Sequence, residues 1–538
     1  MQFMKDRKGA DSPTEEVAAT EPHNGINASG HQQELERNFG LWAIVGMALT
    51  AGNTWIAFGG SLTVAIYNGG SPGVIYEFIV VSILYWFVAA SIAELASAMP
   101  SAGGVYHWAT VTAGRHGRWV GFFAGWWNFL AWIFGLASTV QILSALVTSM
   151  YSISHPGFVT ERWHVFVTYV IATWVFTAII LFANRVLPKI EQAGLFFLLA
   201  GVLISIIVCA VMPGVTSNGY ATSASVWKEW VNSTGYTSDG FVFLAGMLNG
   251  AFAVGTPDIT SHMAEEIPRL ASLSNSTSTP LADMPDRPSS NIPKAVLAQY
   301  ITGFITAICY SIAILYAITD LDAVLNQPYF FTVTAIYKQA TGSSSGTVGL
   351  LVLMFLPLFI GILGVHLTPS RMFWTLARDR ATPFPTFFGK VNPHLKNPAN
   401  SIVFCAVLST ILGCIYLGST TAFMAFVGSF AVLGFLSYIS AILPHLLSRR
   451  QSVRPGRFSM GPAGFVVNTV AVLFIMTFTV IFCFPFALPV DAASMNYTCL
   501  IVGGFTILIA ALWAFIRKGY VGPQYVPLEA EMMTKNAV

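Results

Sequence analysis

Apolar residues in this chain run in long blocks, with neither the strict alternation of a half-buried strand nor the one-sided stripe of a soluble helix. A helix that crosses a bilayer needs roughly 20 predominantly apolar residues. Stretches of that kind lie near 40–67, 73–98, 119–147, 163–183, 189–212 and 240–265, and again near 295–318, 346–375, 399–416, 421–447, 463–486 and 497–516. The prediction is an all-α membrane protein with about twelve transmembrane helices. The membrane domain spans 37–522, and the polar ends, 1–36 and 523–538, read as disordered cytoplasmic tails. The loop after the sixth span carries a polar insert over 267–293. Its central part, Leu270–Asn291, is rich in Ser, Thr, Pro and Asn and cannot bury a core of its own.

Composition narrows this further. The chain is 55% hydrophobic and 9% charged, against about 25% charged in an average soluble domain. So little charge cannot cover a water-facing surface, and the solvent must be largely lipid. A net charge of +2 without a basic run gives no footprint for nucleic acid. None of the six cysteines forms a C-x-x-C pair, so neither a disulfide framework nor a zinc site is indicated, and no cofactor is called for. The polar N-terminus is not a cleavable signal peptide. Of the 26 Lys and Arg residues, all but Arg162, Lys228 and Lys338 fall on one side of the predicted alternation. By the positive-inside rule that side is cytoplasmic, and both termini lie there. The sequon at Asn232 is then in an outer loop and is a candidate for glycosylation. The sequon at Asn496 hugs the membrane, and those at Asn27 and Asn275 fall on the wrong side.

Two spans carry residues that interrupt a helix. The first reads GMALTAGNTWIAFGGS, with Thr50, Ala51, Gly52, Asn53 and Thr54 at its centre. The sixth reads GMLNGAFAVGTPDITSHMAEE, with Gly255, Thr256, Pro257 and Asp258 at its centre. Pro257 lacks an amide donor and clashes with the preceding turn, while Gly255 permits unusual dihedrals. Unwound backbone at membrane depth is tolerated where it faces a cavity. Matched breaks in spans 1 and 6 are what a five-plus-five inverted repeat requires, and transporters place their solute at such breaks. The outer half of span 6 would end near Phe252, Ala253 and Val254, whose carbonyls suit an ammonium. Thr256 would cap the inner half, with Pro257 in its first turn. Asn53 would cap the outer half of span 1 and leave amide donors near Thr54 and Trp55 for a carboxylate or hydroxyl. Small residues also serve helix packing alone, and for span 1 by itself that reading stands equally.

Ionisable groups inside spans are costly and usually functional. Asp258 sits at the break and His262 one turn beyond on the same face, as candidates for gating or proton coupling; alternatively Asp258 only stabilises a half-helix N-terminus. Glu265 and Glu266 close the span at its cytoplasmic mouth and can pair with basic loop residues. Glu94 is similar, near the inner end of span 2, whereas Glu77 reads as interfacial. Span 3 is crowded with Phe122, Phe123, Trp126, Trp127 and Trp132, of which Trp127 is taken as a candidate aromatic contact for a quaternary ammonium. Packing and interface belts explain many such rings equally well.

At these stretches the chain resembles the amino acid–polyamine–organocation superfamily of permeases, and within it the fungal choline and γ-aminobutyrate transporters. Four segments carry the likeness: Gly46–Trp55, PSAGGVYHW at Pro100–Trp108, Gly255–Glu266, and SRMFWTLARDRATP at Ser370–Pro383. The resemblance covers nearly all of 35–525. It implies a five-plus-five inverted repeat with broken helices 1 and 6 plus two extra helices, and alternating access without covalent chemistry. It maps substrate-binding backbone onto Thr50–Thr54 and Ala253–Asp258, and gating elements onto Glu266 and Arg371–Asp379. It implies secondary transport of a small amine across the plasma membrane, choline first and γ-aminobutyrate or another amino acid second, with a proton as a plausible partner. A departure is the insert between Glu266 and Asn291, where relatives have a short link. A non-transporting sensor would be expected to carry larger signalling extensions. No P-loop, nucleophile elbow or metal triad points to an enzyme.

Overall fold

The structure, a computed structural model, describes residues 30–62, 66, 68–216, 218–268, 288–325, 329–419, 421–492 and 494–523. Among the described residues twelve helices are long and apolar enough to cross a membrane: Leu41–Gly60, Gly70–Ala98, Gly114–Ser154, Arg162–Phe182, Leu187–Val215 and Asp239–Met263, then Pro288–Tyr316, Ser344–Arg378, Ala399–Gly418, Ala422–Leu447, Ala463–Ile481 and Thr498–Ile516. They are numbered here as spans 1 to 12. Extended pairing among the described residues is confined to isolated bridges, such as Asn68 with Asn232.

Burial sorts the spans into a core and a rim. Spans 1, 3, 6 and 10 are the most enclosed, and span 12 is almost wholly at the surface. Span 3 packs along spans 8 and 10, span 1 lies against spans 5, 7 and 8, and span 2 lies against spans 6, 7 and 11. Lipid tails are as apolar as leucine, so burial alone does not drive these helices together. Close van der Waals packing through small residues does. Gly361 of span 8 shows how close: a Cβ there would overlap the Thr50 carbonyl oxygen of span 1.

Both expected breaks are present. Span 1 is helical over Leu41–Gly52 and again over Thr54–Gly60, with Asn53 between them at φ 24° and ψ 53°. Asn is among the few non-glycine residues that tolerate positive φ. Span 6 is α-helical over Asp239–Val254, unwinds through Gly255–Pro257, and resumes as a 3₁₀ segment at Ile259–Met263.

Two boundaries differ from expectation. Residues 30–36, read as part of a disordered tail, are packed from Gly30 onward, with Leu35 and Phe39 buried. Span 7 begins at Pro288, inside the segment read as insert, because that Pro opens a helix whose first turn is already buried at Ser289 and Asn291. The central insert residues 269–287, and the tails 1–29 and 524–538, lie outside the described residues.

Candidate functional site

The two breaks face one cavity. Ala51, Gly52 and Asn53 line it from span 1, Phe252 and Thr256 from span 6, Trp132 from span 3 and Phe430 from span 10. The room it offers in this state is small, about 30 Å³. Three rings form an edge-to-face wall: Trp132 to Phe430 and Phe252 to Phe430 both have centroids 5.7 Å apart. No lysine, arginine or histidine lines the cavity. Asn53 is buried, and neither its Oδ1 nor its Nδ2 has a hydrogen-bond partner. An unsatisfied buried amide at a cavity wall is a ready donor and acceptor for a polar group placed there.

Span 7 pins both breaks. Gln299 Nε2 donates to the Thr256 hydroxyl at 2.7 Å, and the same side chain lies directly under Gly52, where a Cβ would come within 2.5 Å of it. Tyr300 donates its hydroxyl to the Val254 carbonyl at 2.6 Å. Thr54 and Val254 therefore face a second, smaller space on the span 7 side, lined also by Gln299 and Tyr300.

Behind the aromatic wall lies a buried polar hub. Asp258 Oδ2 accepts from Asn128 Nδ2 at 2.7 Å and from Trp132 Nε1 at 3.3 Å, while Oδ1 accepts from the Tyr438 hydroxyl at 2.8 Å. Tyr438 also reaches the Gly255 carbonyl at 3.3 Å. His262 Nε2 sits 3.2 Å from Asp258 Oδ2, and its Nδ1 lies 3.0 Å from the Ala102 carbonyl. A carbonyl only accepts, so Nδ1 carries hydrogen. A second proton must then lie between Nε2 and Oδ2, since two lone pairs would repel at that distance. Asp258 and His262 thus form a hydrogen-bonded acid–base pair inside the bundle. The PSAGG segment completes this hub: Gly104, at φ 47°, brings its backbone against Ser261 and His262, where a Cβ would lie 2.8 Å from Ser261 Oγ.

Beyond the break, span 6 is joined to span 8 by buried ion pairs. Arg371 Nε and Glu266 Oε1 are 2.6 Å apart and both residues are buried, while Nη1 and Nη2 of Arg371 have no hydrogen-bond partner. Arg378 takes Glu265 in a fork at 2.8 and 3.2 Å and lies 3.9 Å over the Trp374 ring. The strap at residues 30–39 crosses these ion pairs. His31 bonds Asp379 at 2.6 Å, Gln33 donates to the Glu265 carbonyl, and the Phe39 amide donates to the Glu266 carbonyl. Burial holds the Arg37 guanidinium below its usual range, with Glu265 pulling it back up.

Several expectations are revised. Trp127 does not face the cavity: its Nε1 donates to Thr506 of span 12 at 3.0 Å, and Trp132, five positions on, stands at the wall instead. Five residues are about one and a half turns, which moves a side chain to the opposite face of a helix. Thr256 does not cap the inner half of span 6, because its hydroxyl is occupied by Gln299 and the segment is 3₁₀. Asn53 occupies the cap position but makes no side-chain cap bond. Asp258 does not cap either; its carboxylate points across to spans 3 and 10. The Val254 carbonyl is already taken by Tyr300, and Ala253 is buried away from the lining. Gly255 is a packing point, where a Cβ would come within 3.0 Å of the Phe430 ring. Glu77 is not interfacial but buried, packed against Gly246, with neither carboxyl oxygen hydrogen-bonded. Glu94 pairs with Arg450, and both Nδ2 bonds of Asn232 are used, to the Tyr236 carbonyl and Asp239. Glycosylation at Asn232 would have to precede closure of that loop. Gln299, Tyr300, Asn128, Phe430, Tyr438 and Glu191 carry no signal in a reading of breaks and motifs. Glu191, fully buried on span 5, meets the Thr50 hydroxyl at 2.6 Å. Its one legible mark is a carboxylate inside an apolar run.

Among the described residues, twelve helices long and apolar enough to cross a membrane, two of them unwound beside one cavity, define an integral multi-pass membrane protein of transporter type. The chain matches the amino acid permease family over residues 39–505, and it belongs to that family. Among its relatives, the choline transporter of Saccharomyces cerevisiae is 30% identical over 502 residues, covering 92% of this chain and 84% of that one. An amino-acid permease of Arabidopsis thaliana is 27% identical, covering 92% and 94%. The 7-keto 8-aminopelargonic acid transporter of S. cerevisiae is 24% identical, covering 87% and 90%.

Proposed function

We propose that this permease is a secondary-active carrier of choline or a close quaternary amine, working by alternating access and driven by a proton. The observation that carries the reading is the wall of Trp132, Phe252 and Phe430 in a cavity that no cationic side chain lines. A trimethylammonium group is held by aromatic faces through their quadrupole, at about 0.5–2 kcal/mol per ring. Asp258, bonded to the edge of the Trp132 ring, adds negative potential behind that wall. The choline hydroxyl finds the free amide of Asn53, and Ala51, Gly52 and Thr256 shape the rest. An amino acid would also need donors for its carboxylate, and among the described lining residues these are the Asn53 amide, the Thr256 hydroxyl and the backbone at the span 1 break. γ-Aminobutyrate is the second reading, since those donors can meet a single carboxylate. The likeness to the yeast choline transporter supports the same substrate class.

The proton belongs to the Asp258–His262 pair, and the Glu266–Arg371 and Glu265–Arg378 pairs form the gate on the cytoplasmic side. Both termini are cytoplasmic, on the positive-inside distribution of Lys and Arg, and the plasma membrane is the site of action. The deciding experiment is uptake of labelled choline and labelled γ-aminobutyrate in cells lacking their own carriers. Saturable choline uptake that amino acids do not compete, and that falls when the pH gradient is collapsed, is expected. Uptake of γ-aminobutyrate alone overturns the choline assignment, and uptake indifferent to the gradient overturns the coupling.

A further inference from the structure

A second, larger hollow opens on the outside of the bundle between spans 2 and 7. It offers about 520 Å³ and is lined by Ala89, Ala90, Ala93, Trp86, Leu297 and Ile301, with Tyr300 at its floor. Leu297 and Ile301 are 61% and 47% exposed, so the groove is open sideways to lipid. Its polar groups gather at one end. Lys294 of span 7 and Arg457 of the loop between spans 10 and 11 border the mouth, both exposed, and neither pairs with a described residue. The mouth is built, not incidental: Ser97 of span 2 accepts from the Phe458 amide at 2.8 Å and donates to the Ser289 carbonyl at 2.7 Å. The nearby carboxylate of Glu94 is already engaged by Arg450 and the Met460 amide, so it does not neutralise Arg457.

We propose that this groove binds an anionic glycerophospholipid. Its phosphate would sit between Lys294 and Arg457, and one acyl chain would lie along the alanines of span 2 down to Tyr300. Charge confined to one end of a long apolar trough matches that amphiphile. A sterol has no charge for the mouth, and a second protein helix would leave both cations unsatisfied. Basic pockets between helices at a membrane surface are a recognised form of headgroup site. The groove also touches the transport machinery. Tyr300 supports the span 6 break through the Val254 carbonyl, and Trp86 and Tyr300 also line the small space that holds Thr54 and Gln299. A lipid chain in the trough therefore braces the span 7 residues that pin both breaks.

Native mass spectrometry of the purified full chain tests this, in mixed micelles holding phosphatidylserine and phosphatidylcholine in equal amounts. The measurement depends on neither the transported substrate nor the orientation of the chain. The wild type should retain one phosphatidylserine several-fold over phosphatidylcholine. Lys294→Gln with Arg457→Gln should remove that preference; both positions are exposed, so folding is not at issue. Ala90→Trp, which fills the trough and keeps the charges, should remove the same adduct. Equal retention of the two lipids by the wild type overturns the proposal. So does a preference that survives the double substitution, or an adduct that survives Ala90→Trp.

Discussion

Trp132 donates its indole N–H to Asp258 at 3.3 Å, which ties the ring that walls the cavity to the carboxylate behind it. In the proposed carrier this links two tasks, because a cation leaning on the ring would feel the proton state of the hub. Trp132→Ala should raise the KM for choline by about 2- to 30-fold, the range that a lost cation–π contact of about 0.5–2 kcal/mol implies. Trp132→Phe keeps a ring but removes the donor. It should bind choline nearly as well, while the dependence of uptake on pH shifts. Initial-rate uptake across a pH series separates the two, and equal KM values for all three proteins would remove Trp132 from the site.

Replacing Asp258 by Asn removes the acceptor that holds a proton with His262, yet keeps a side chain of the same size for Asn128 and Tyr438. Net uphill uptake should be lost in Asp258→Asn. Exchange of internal for external choline should persist, because exchange needs the cavity and the gate but no net proton movement. Proteoliposomes preloaded with choline provide the measurement. Loss of exchange together with uptake would mean the hub is structural, since breaking a buried polar network is by itself strongly destabilising.

The positions of the spans and the two breaks were legible because they rest on one-dimensional signals: apolar run length, and Gly, Asn and Pro at the centre of a run. Lipid solvent makes the first signal strong, since a span cannot borrow water to satisfy its backbone. The partners of the breaks were not legible. Gln299 and Tyr300 look like ordinary residues of span 7, and their role comes from lying against Gly52 and Val254, which belong to other spans distant in the sequence. Trp127 and Trp132 illustrate the same limit. Both are tryptophans in one helix, and only the packing of span 3 against spans 10 and 12 decides which faces inward. Acidic side chains at the end of span 6 signalled ion pairing with basic residues, while the docking of residues 30–39 across those pairs has no hydrophobic pattern beyond Leu35 and Phe39.

Gly255 sits where the span 6 break meets span 10. A Cβ there would lie 2.6 Å from the Ala251 carbonyl and 3.0 Å from the Phe430 ring. Gly255→Leu should therefore abolish choline uptake by driving Phe430 into the cavity, with surface expression retained because the strain falls on the last turn of the outer half of span 6 and leaves the rest of that helix in place. Gly255→Ala should reduce the rate to a lesser degree. Surface biotinylation alongside uptake is the check, and normal uptake in Gly255→Leu would show that the break does not need close approach to Phe430.

Arg371 and Glu266 form the most buried ion pair of the gate, at 2.6 Å. Removing one partner strands a charge in a dry place, at a cost of about 3–5 kcal/mol to the closed arrangement, whereas removing both is far milder. Opening the gate to water relieves the stranded charge, so Arg371→Ala should shift the population towards the open state. The reporter is a cysteine placed at Ala51, on the cavity wall, in a background without the exposed native thiols Cys309, Cys414 and Cys499. A membrane-impermeant thiol reagent, applied from the side of the basic loops, should react with it at least several-fold faster in Arg371→Ala. Glu266→Gln with Arg371→Gln should return the rate towards that of the parent. If the single substitution leaves the rate unchanged, the pair holds the fold and does not gate the cavity.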